Sequence, residues 1–185
     1  LHLLSRRQRQ MCIRDRRKTV RLRYRFIPYI YDLARECERT GEPIVRPLVY
    51  EYPHDKMVRN ICDEYLLGKF VLVAPVTVPG KFAREVYLPE GEWYDYETNE
   101  KYTGGKYILA DAPLDKVPVF IRAGAILPVA EGNIQSTEDI TSENTRILTY
   151  PGQGTFIHYE DDNETLAYRE GSYLSLIHIS EPTRP

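Results

Sequence analysis

The acidic run Glu160-Asp161-Asp162, with His158 just before it, is the first place in this sequence to look for chemistry. Carboxylates beside an imidazole can bind a metal or exchange protons. Strongly perturbed carboxylates, however, need a cleft that the turn at a sheet edge rarely supplies. Aspartate and glutamate are also common in turns, so a hairpin turn is the expected role. Asp63 and Glu64 are a second acidic pair. Adjacent side chains on a helix diverge instead of converging on one substrate, so surface or domain-junction roles are expected. Arg46 interrupts an apolar run, and a buried arginine needs a partner. That partner is either a structural ion pair or the hydroxyl of a ligand. Trp93 with Tyr94 and Tyr96 could stack on sugar rings, but alternate strand residues point to opposite faces, which favours core packing. His54, in a proline-containing turn, reads as solvated.

Of the three cysteines, Cys12, Cys37 and Cys62, none shows metal-ligand spacing, and a framework of several bridges is impossible. Cys37 is expected on the apolar face of a helix, as a small buried hydrophobe. No catalytic residue, metal site or cofactor site is assigned within the chain.

The elements that would position these groups follow from periodicity. Val20, Tyr24, Ile27, Tyr31, Ala34 and Cys37 recur at steps of three or four, so Lys18 to about Thr40 is predicted helical with those residues on its buried face. Pro28 lacks a backbone donor and should kink or divide this helix. Gly41 is a left-handed cap that ends it. Ile44–Tyr50 reads as a strand, and Met57, Ile61 and Tyr65 as a short helix closing near Gly68. From Phe70 to Val76 the apolar run predicts a buried strand. Short strands follow at 85–88, 92–96, 107–109, 117–121 and 125–129, spaced by Pro- and Gly-containing turns, as in a β-sandwich. Glu131–Asn144 is polar and reads as a linker. Strands at 146–150 and 155–159 then open a new β-unit that breaks off at Tyr173.

The ends read differently. Gln10–Arg16 back-translates as CAG ATG TGT ATA AGA GAC AG, and the reverse complement of that string encodes Leu-Ser-Leu-Ile-His-Ile, the sequence of 174–179. One DNA element in opposite orientations explains both. Residues 6–16 and 174–184 resemble translated transposon-type sequencing adapters. Residues 1–16 and 174–185 are therefore expected to be non-native, with the natural start and stop both missing. The basic stretch at the N-terminal end would otherwise suit nucleic acid or anionic lipid.

A hydrophobic content of 42% and a charged content of 28% are ordinary for a globular protein. A formal net charge of -2 argues against nucleic acid as a partner. No apolar run is long enough to span a bilayer, so no membrane partner is expected. Localisation and oligomeric state are not readable.

A series of motifs in fixed order carries more. Arg23-Tyr24-Arg25-Phe26-Ile27-Pro28-Tyr29-Ile30-Tyr31 resembles the RYxLLPYLY helix of glycoside hydrolase family 31, and Gly41–Leu48 its GxPVxRPL strand. Asp63–Gly68 with Phe70–Val76 is similar to its DxQFLLGxxLLVAPV. Val86–Pro89 with Gly91–Asp95 is like VYLPxGxWYD, Ala112–Asp115 like APLD, and Ile121–Pro128 like VRAGSIIP. Tyr150–Gly152 and Tyr159–Asp162 resemble YPG and YEDDG, with Asn163 where the family usually has Gly.

The resemblance implies a (β/α)8 TIM barrel followed by proximal and distal β-domains. On that map 17–71 is the end of a truncated barrel and holds its last helix and strand. Residues 72–143 are the proximal antiparallel β-sandwich, and 144–173 start the distal β-domain. The implied activity is retaining α-glycosidase chemistry of α-glucosidase or α-xylosidase type, acting on an oligosaccharide or other α-glycoside. Two aspartates would do this work, and both lie upstream of this segment. In a barrel the active site sits at the C-terminal strand ends, which favours a structural role for Arg46. The rival reading is a non-catalytic carbohydrate-binding or structural β-module.

Overall fold

The computed structural model describes residues 17–162 and 164–180; expectations for 1–16, Asn163 and 181–185 lie outside these. The N-terminal helical stretch is divided as Pro28 demands. Helix α1 covers 17–25, Phe26 is a turn, and α2 runs Ile27–Thr40 with the proline in its first turn, where no backbone donor is needed. Gly41, at φ 79°, ends α2 by donating its N–H to the Cys37 carbonyl at 2.8 Å.

The buried face of this helix pair is not the predicted one. Val20, Tyr31 and Ala34 are exposed and Cys37 is half-buried. Phe26, Tyr29 and Leu33 are buried instead, with Leu22 packed beside them. Two apolar stripes run along the same helix, and spacing alone does not say which one meets the sheet.

The predicted strand Ile44–Tyr50 is only β1, Val45–Pro47; the chain then coils into the single turn α3, Leu48–Glu51, closed by Tyr52 N–H on the Leu48 carbonyl at 2.9 Å. The predicted helix near 57–68 is also corrected. Met57–Asn60 is a tight 3-10 turn, and Tyr65–Leu67 is a strand, β2. The steps 57, 61 and 65 fit a helical period. Pairing of Leu66 with Arg46 on one side and Leu72 on the other overrides it and leaves Leu66 fully buried.

Further strands are β3 Val71–Val73, β4 Ala83–Leu88, β5 Glu92–Asp95, β6 Lys101–Thr103, β7 Lys106–Asp111, β8 Val119–Arg122 and β9 Ile126–Ala130. After the polar segment, which holds one short turn at Thr137–Asp139, come β10 Thr145–Thr149, β11 Gly154–Glu160 and β12 Leu174–Ser180. Six strands form one sheet in the order β1-β2-β3-β8-β5-β6, while β4–β7, β9–β10 and β11–β12 make two-stranded ribbons. Every one of these pairings is antiparallel, including that of β1, the strand expected to close a parallel barrel. β1 and β2 therefore share a sheet with strands that lie beyond residue 71.

Alternation along the sheet builds two cores. Val71, Val119, Ile121 and Tyr94 face α2, β9 and Tyr150, whereas Leu72, Phe120 and Trp93 face Leu48, Val58 and the β4–β7 ribbon. A residue step of one flips a side chain to the other face, so β2, β3, β5 and β8 each contribute to both layers. β11 lies against α2, and β12 pairs with it along its full length, inside the stretch expected to be non-native.

Candidate functional site: carboxylates held by arginine and histidine

His158 is buried where β11 crosses α2. Its Nδ1 lies 2.9 Å from Asp32 Oδ2 and its Nε2 lies 3.1 Å from Glu160 Oε1. The other Asp32 oxygen accepts the Tyr159 N–H at 2.8 Å. Asp161 accepts the Tyr31 hydroxyl at 2.7 Å and the Tyr159 hydroxyl at 2.8 Å, while Arg35 sits 4.8 Å above the Tyr159 ring. Burial pushes the Asp32 carboxyl up, against the opposing pull of His158 and the Tyr159 N–H. Burial also works against a charged imidazole, but the hydrogen bond and charge of Asp32, with Glu160 adding to them, hold His158 above its ordinary pKa.

The acidic turn thus joins β11 to the helix, and Asp162 folds back on Thr165 N–H at 3.0 Å. Sequence reasoning missed Asp32. Its signal was its position beside Leu33 and three residues from Tyr29, inside the true buried stripe. Legible only once that stripe is known, it is a charge in a hydrophobic face.

Arg46 is 1% exposed and resolves to the ion-pair reading. Its guanidinium meets Glu42 at 2.7 Å, Glu36 at 3.6 Å and the Glu51 carboxylate, and Nε donates to the Pro43 carbonyl at 2.7 Å. Lys69 reaches Glu36 and Glu42, each at 3.4 Å. Each nitrogen of the guanidinium thus lies beside a protein oxygen, which is how a buried arginine charge is compensated.

Asp63 and Glu64 do not diverge as expected. Both bind Arg84 Nη2, Asp63 at 2.9 Å and Glu64 at 3.1 Å, because the chain here is an extended lead into β2 instead of a helix. Glu64 is buried, its Oε1 also takes the Tyr87 N–H at 3.0 Å, and burial pushes its pKa up to about 7.

Trp93 is fully buried and donates Nε1–H to the Pro89 carbonyl at 2.8 Å, which places it in the core. Tyr94 points to the other face, 5.6 Å from the Tyr150 ring. His54 is exposed on the rim of an open groove with Tyr52, Asp55, Tyr87 and Glu90. Among the described residues no group of three or more His, Cys, Asp or Glu is arranged to hold a metal. No helix among them is long and apolar enough to cross a membrane.

The β-rich, antiparallel fold and the order of the motifs match a C-terminal domain of glycoside hydrolases. The chain is similar to glycoside hydrolase family 31, and residues 41–127 match the Glycosyl hydrolase family 31 C-terminal domain. It is 38% identical over 163 residues to alpha-glucosidase 2 of Bacillus thermoamyloliquefaciens, covering 86% of this chain and 20% of that protein. It is 40% identical over 158 residues to the alpha-xylosidase of Saccharolobus solfataricus, covering 84% of this chain and 22% of that protein. Among solved structures, the Flavobacterium johnsoniae GH31 dextranase FjDex31A, complexed with glucose, superposes with a TM-score of 0.80 at 37% identity. That superposition covers 89% of this chain and 21% of the dextranase. The chain therefore spans about a fifth of the length of these relatives.

Proposed function

We propose that this chain is the C-terminal part of a retaining α-glycosidase that hydrolyses α-linked glucosides or xylosides, and that it is inactive by itself. The mechanism needs one carboxylate as nucleophile and one as acid, about 5–5.5 Å apart in a cleft with room for the sugar. The observation that carries the reading is how the carboxylates gathered here are spent. Asp32 and Glu160 are bound to His158, Asp63 and Glu64 to Arg84, and Glu36, Glu42 and Glu51 to Arg46. Each set builds structure, and the reacting pair is assigned to sequence upstream. The α-glucosidase and α-xylosidase relatives support the substrate class.

The test is hydrolysis of aryl α-glucoside and aryl α-xyloside by this chain and by the longer reading frame that contains it. The longer protein is expected to turn over one of the two with retention at the anomeric carbon, and this chain neither. Turnover by the chain alone defeats the reading, as does a longer frame without an aspartate at a barrel strand tip.

A further inference from the structure

We propose that Asp32, His158 and Glu160 form a proton-held latch that docks β11 on α2 and loosens as the pH rises. The latch depends on the number of protons that its three groups share. Both ring nitrogens of His158 face carboxylate oxygens, at 2.9 and 3.1 Å. A neutral imidazole carries one N–H and one lone pair. With two ionised carboxylates it can satisfy only one of these contacts, and the other becomes a lone pair against an anion. One extra proton, wherever it rests between His158 and Asp32, turns both contacts into hydrogen bonds. The latch is closed only when that proton is bound.

The surroundings make the proton matter. His158 and Asp32 are both buried, so water does not replace a lost bond there. Among the described residues the groups facing the latch are Asp32, Tyr31 and Arg35 from α2, Tyr159 and Glu160 on β11, Asp161 just beyond it, and Tyr168 and Tyr173, whose rings lie under Arg35; β12 sets Leu176 opposite His158. β9, which also packs against α2 and β11, brings only Ile126, Leu127, Pro128, Val129 and Ala130. Arg35 stacks on Tyr159 and pairs with Glu38, Asp161 accepts two tyrosine hydroxyls, and among the described residues the imidazole is the basic group bound by Asp32 and Glu160. The carboxylates hold the folded-state pKa of His158 above its ordinary 6.5. The stabilisation is therefore complete below that ordinary value and is lost as the pH rises through the folded-state value.

The Tyr159 N–H reports on the latch directly, since it donates to Asp32. Hydrogen–deuterium exchange of that amide in the full chain, corrected for the intrinsic rate, is measured across the His158 titration. NMR of the imidazole protons gives the titration itself. Protection is expected to fall about tenfold or more as His158 loses its proton, and to stay flat with pH in His158→Gln. Flat protection in the unsubstituted chain overturns the proposal, as does no protection at any pH or a His158 imidazole that titrates at or below the ordinary 6.5. If His158→Gln does not fold, the exchange and titration of the unsubstituted chain decide alone.

Discussion

Glu64 and Arg84 meet at 3.1 Å through Oε1, which takes Arg84 Nη2 and the Tyr87 N–H, while Oε2 is buried with no hydrogen-bond partner among the described residues. Half of an ionised carboxylate is thus desolvated without compensation, and burial outweighs its two partners.

A pH dependence follows from this. Burial raises the Glu64 pKa from 4.5 to about 7, so between those values the folded chain keeps a proton that the unfolded chain has lost. Stability should fall across that window as the pH rises, by up to about 3 kcal/mol. Glu64→Gln should remove that slope and be the more stable form near pH 8. Urea midpoints of both proteins at about pH 5 and about pH 8 check this; parallel shifts in the two would show that Glu64 titrates normally.

Arg46 is the keystone of an ion cluster that joins β1, α2 and α3. Arg46→Ala leaves Glu36, Glu42 and Glu51 without their shared guanidinium, with Lys69 still paired to Glu36 and Glu42. The expected loss is about 3 kcal/mol, with the urea midpoint lowered at unchanged slope. Arg46→Lys keeps the charge but not the planar fork, and should recover less than half of the loss. A cost for Arg46→Ala within the scatter of surface substitutions would mean that the cluster contributes nothing.

Two glycines separate backbone strain from close packing. Gly124 and Gly80 both adopt the left-handed region, at φ 77° and 76°. A methyl group at Gly80 meets open space, whereas at Gly124 it would strike the Gln153 carbonyl oxygen, where the turns around Gly124 and Gly152 interlock. Gly80→Ala should cost about 1 kcal/mol, the left-handed penalty alone. Gly124→Ala should cost about 2 kcal/mol more, because a backbone atom must move. Thermal unfolding of the two variants checks the difference, and equal costs would show that the turns are loosely packed.

How much of this was legible beforehand depends on the range of the signal. Pro28 dividing the helix and Gly41 ending it are local events, since one missing donor and one left-handed residue act within a turn. The short strands around Val86, Trp93, Val119 and Ile147 were readable from alternation. The role of Trp93 followed from that alternation too.

Other features needed the assembled fold. The spacing of Met57, Ile61 and Tyr65 admits a helix, and only the places waiting beside β1 and β3 make Tyr65–Leu67 a strand. The two apolar stripes of α2 are equivalent until the sheet chooses Tyr29 and Leu33. Arg84 draws Asp63 and Glu64 together from twenty residues away or more.

By itself, then, the sequence determined the local punctuation, the alternation of the β-strands and the family resemblance, because each depends on neighbours or on motif order. Tertiary structure alone decided the pairing of charges. Asp32 and His158 lie 126 positions apart, and no local pattern specifies a contact at that separation. A buried ionisable group takes its partner from whichever element packs against it, and that choice exists only once the helix and the strand have met.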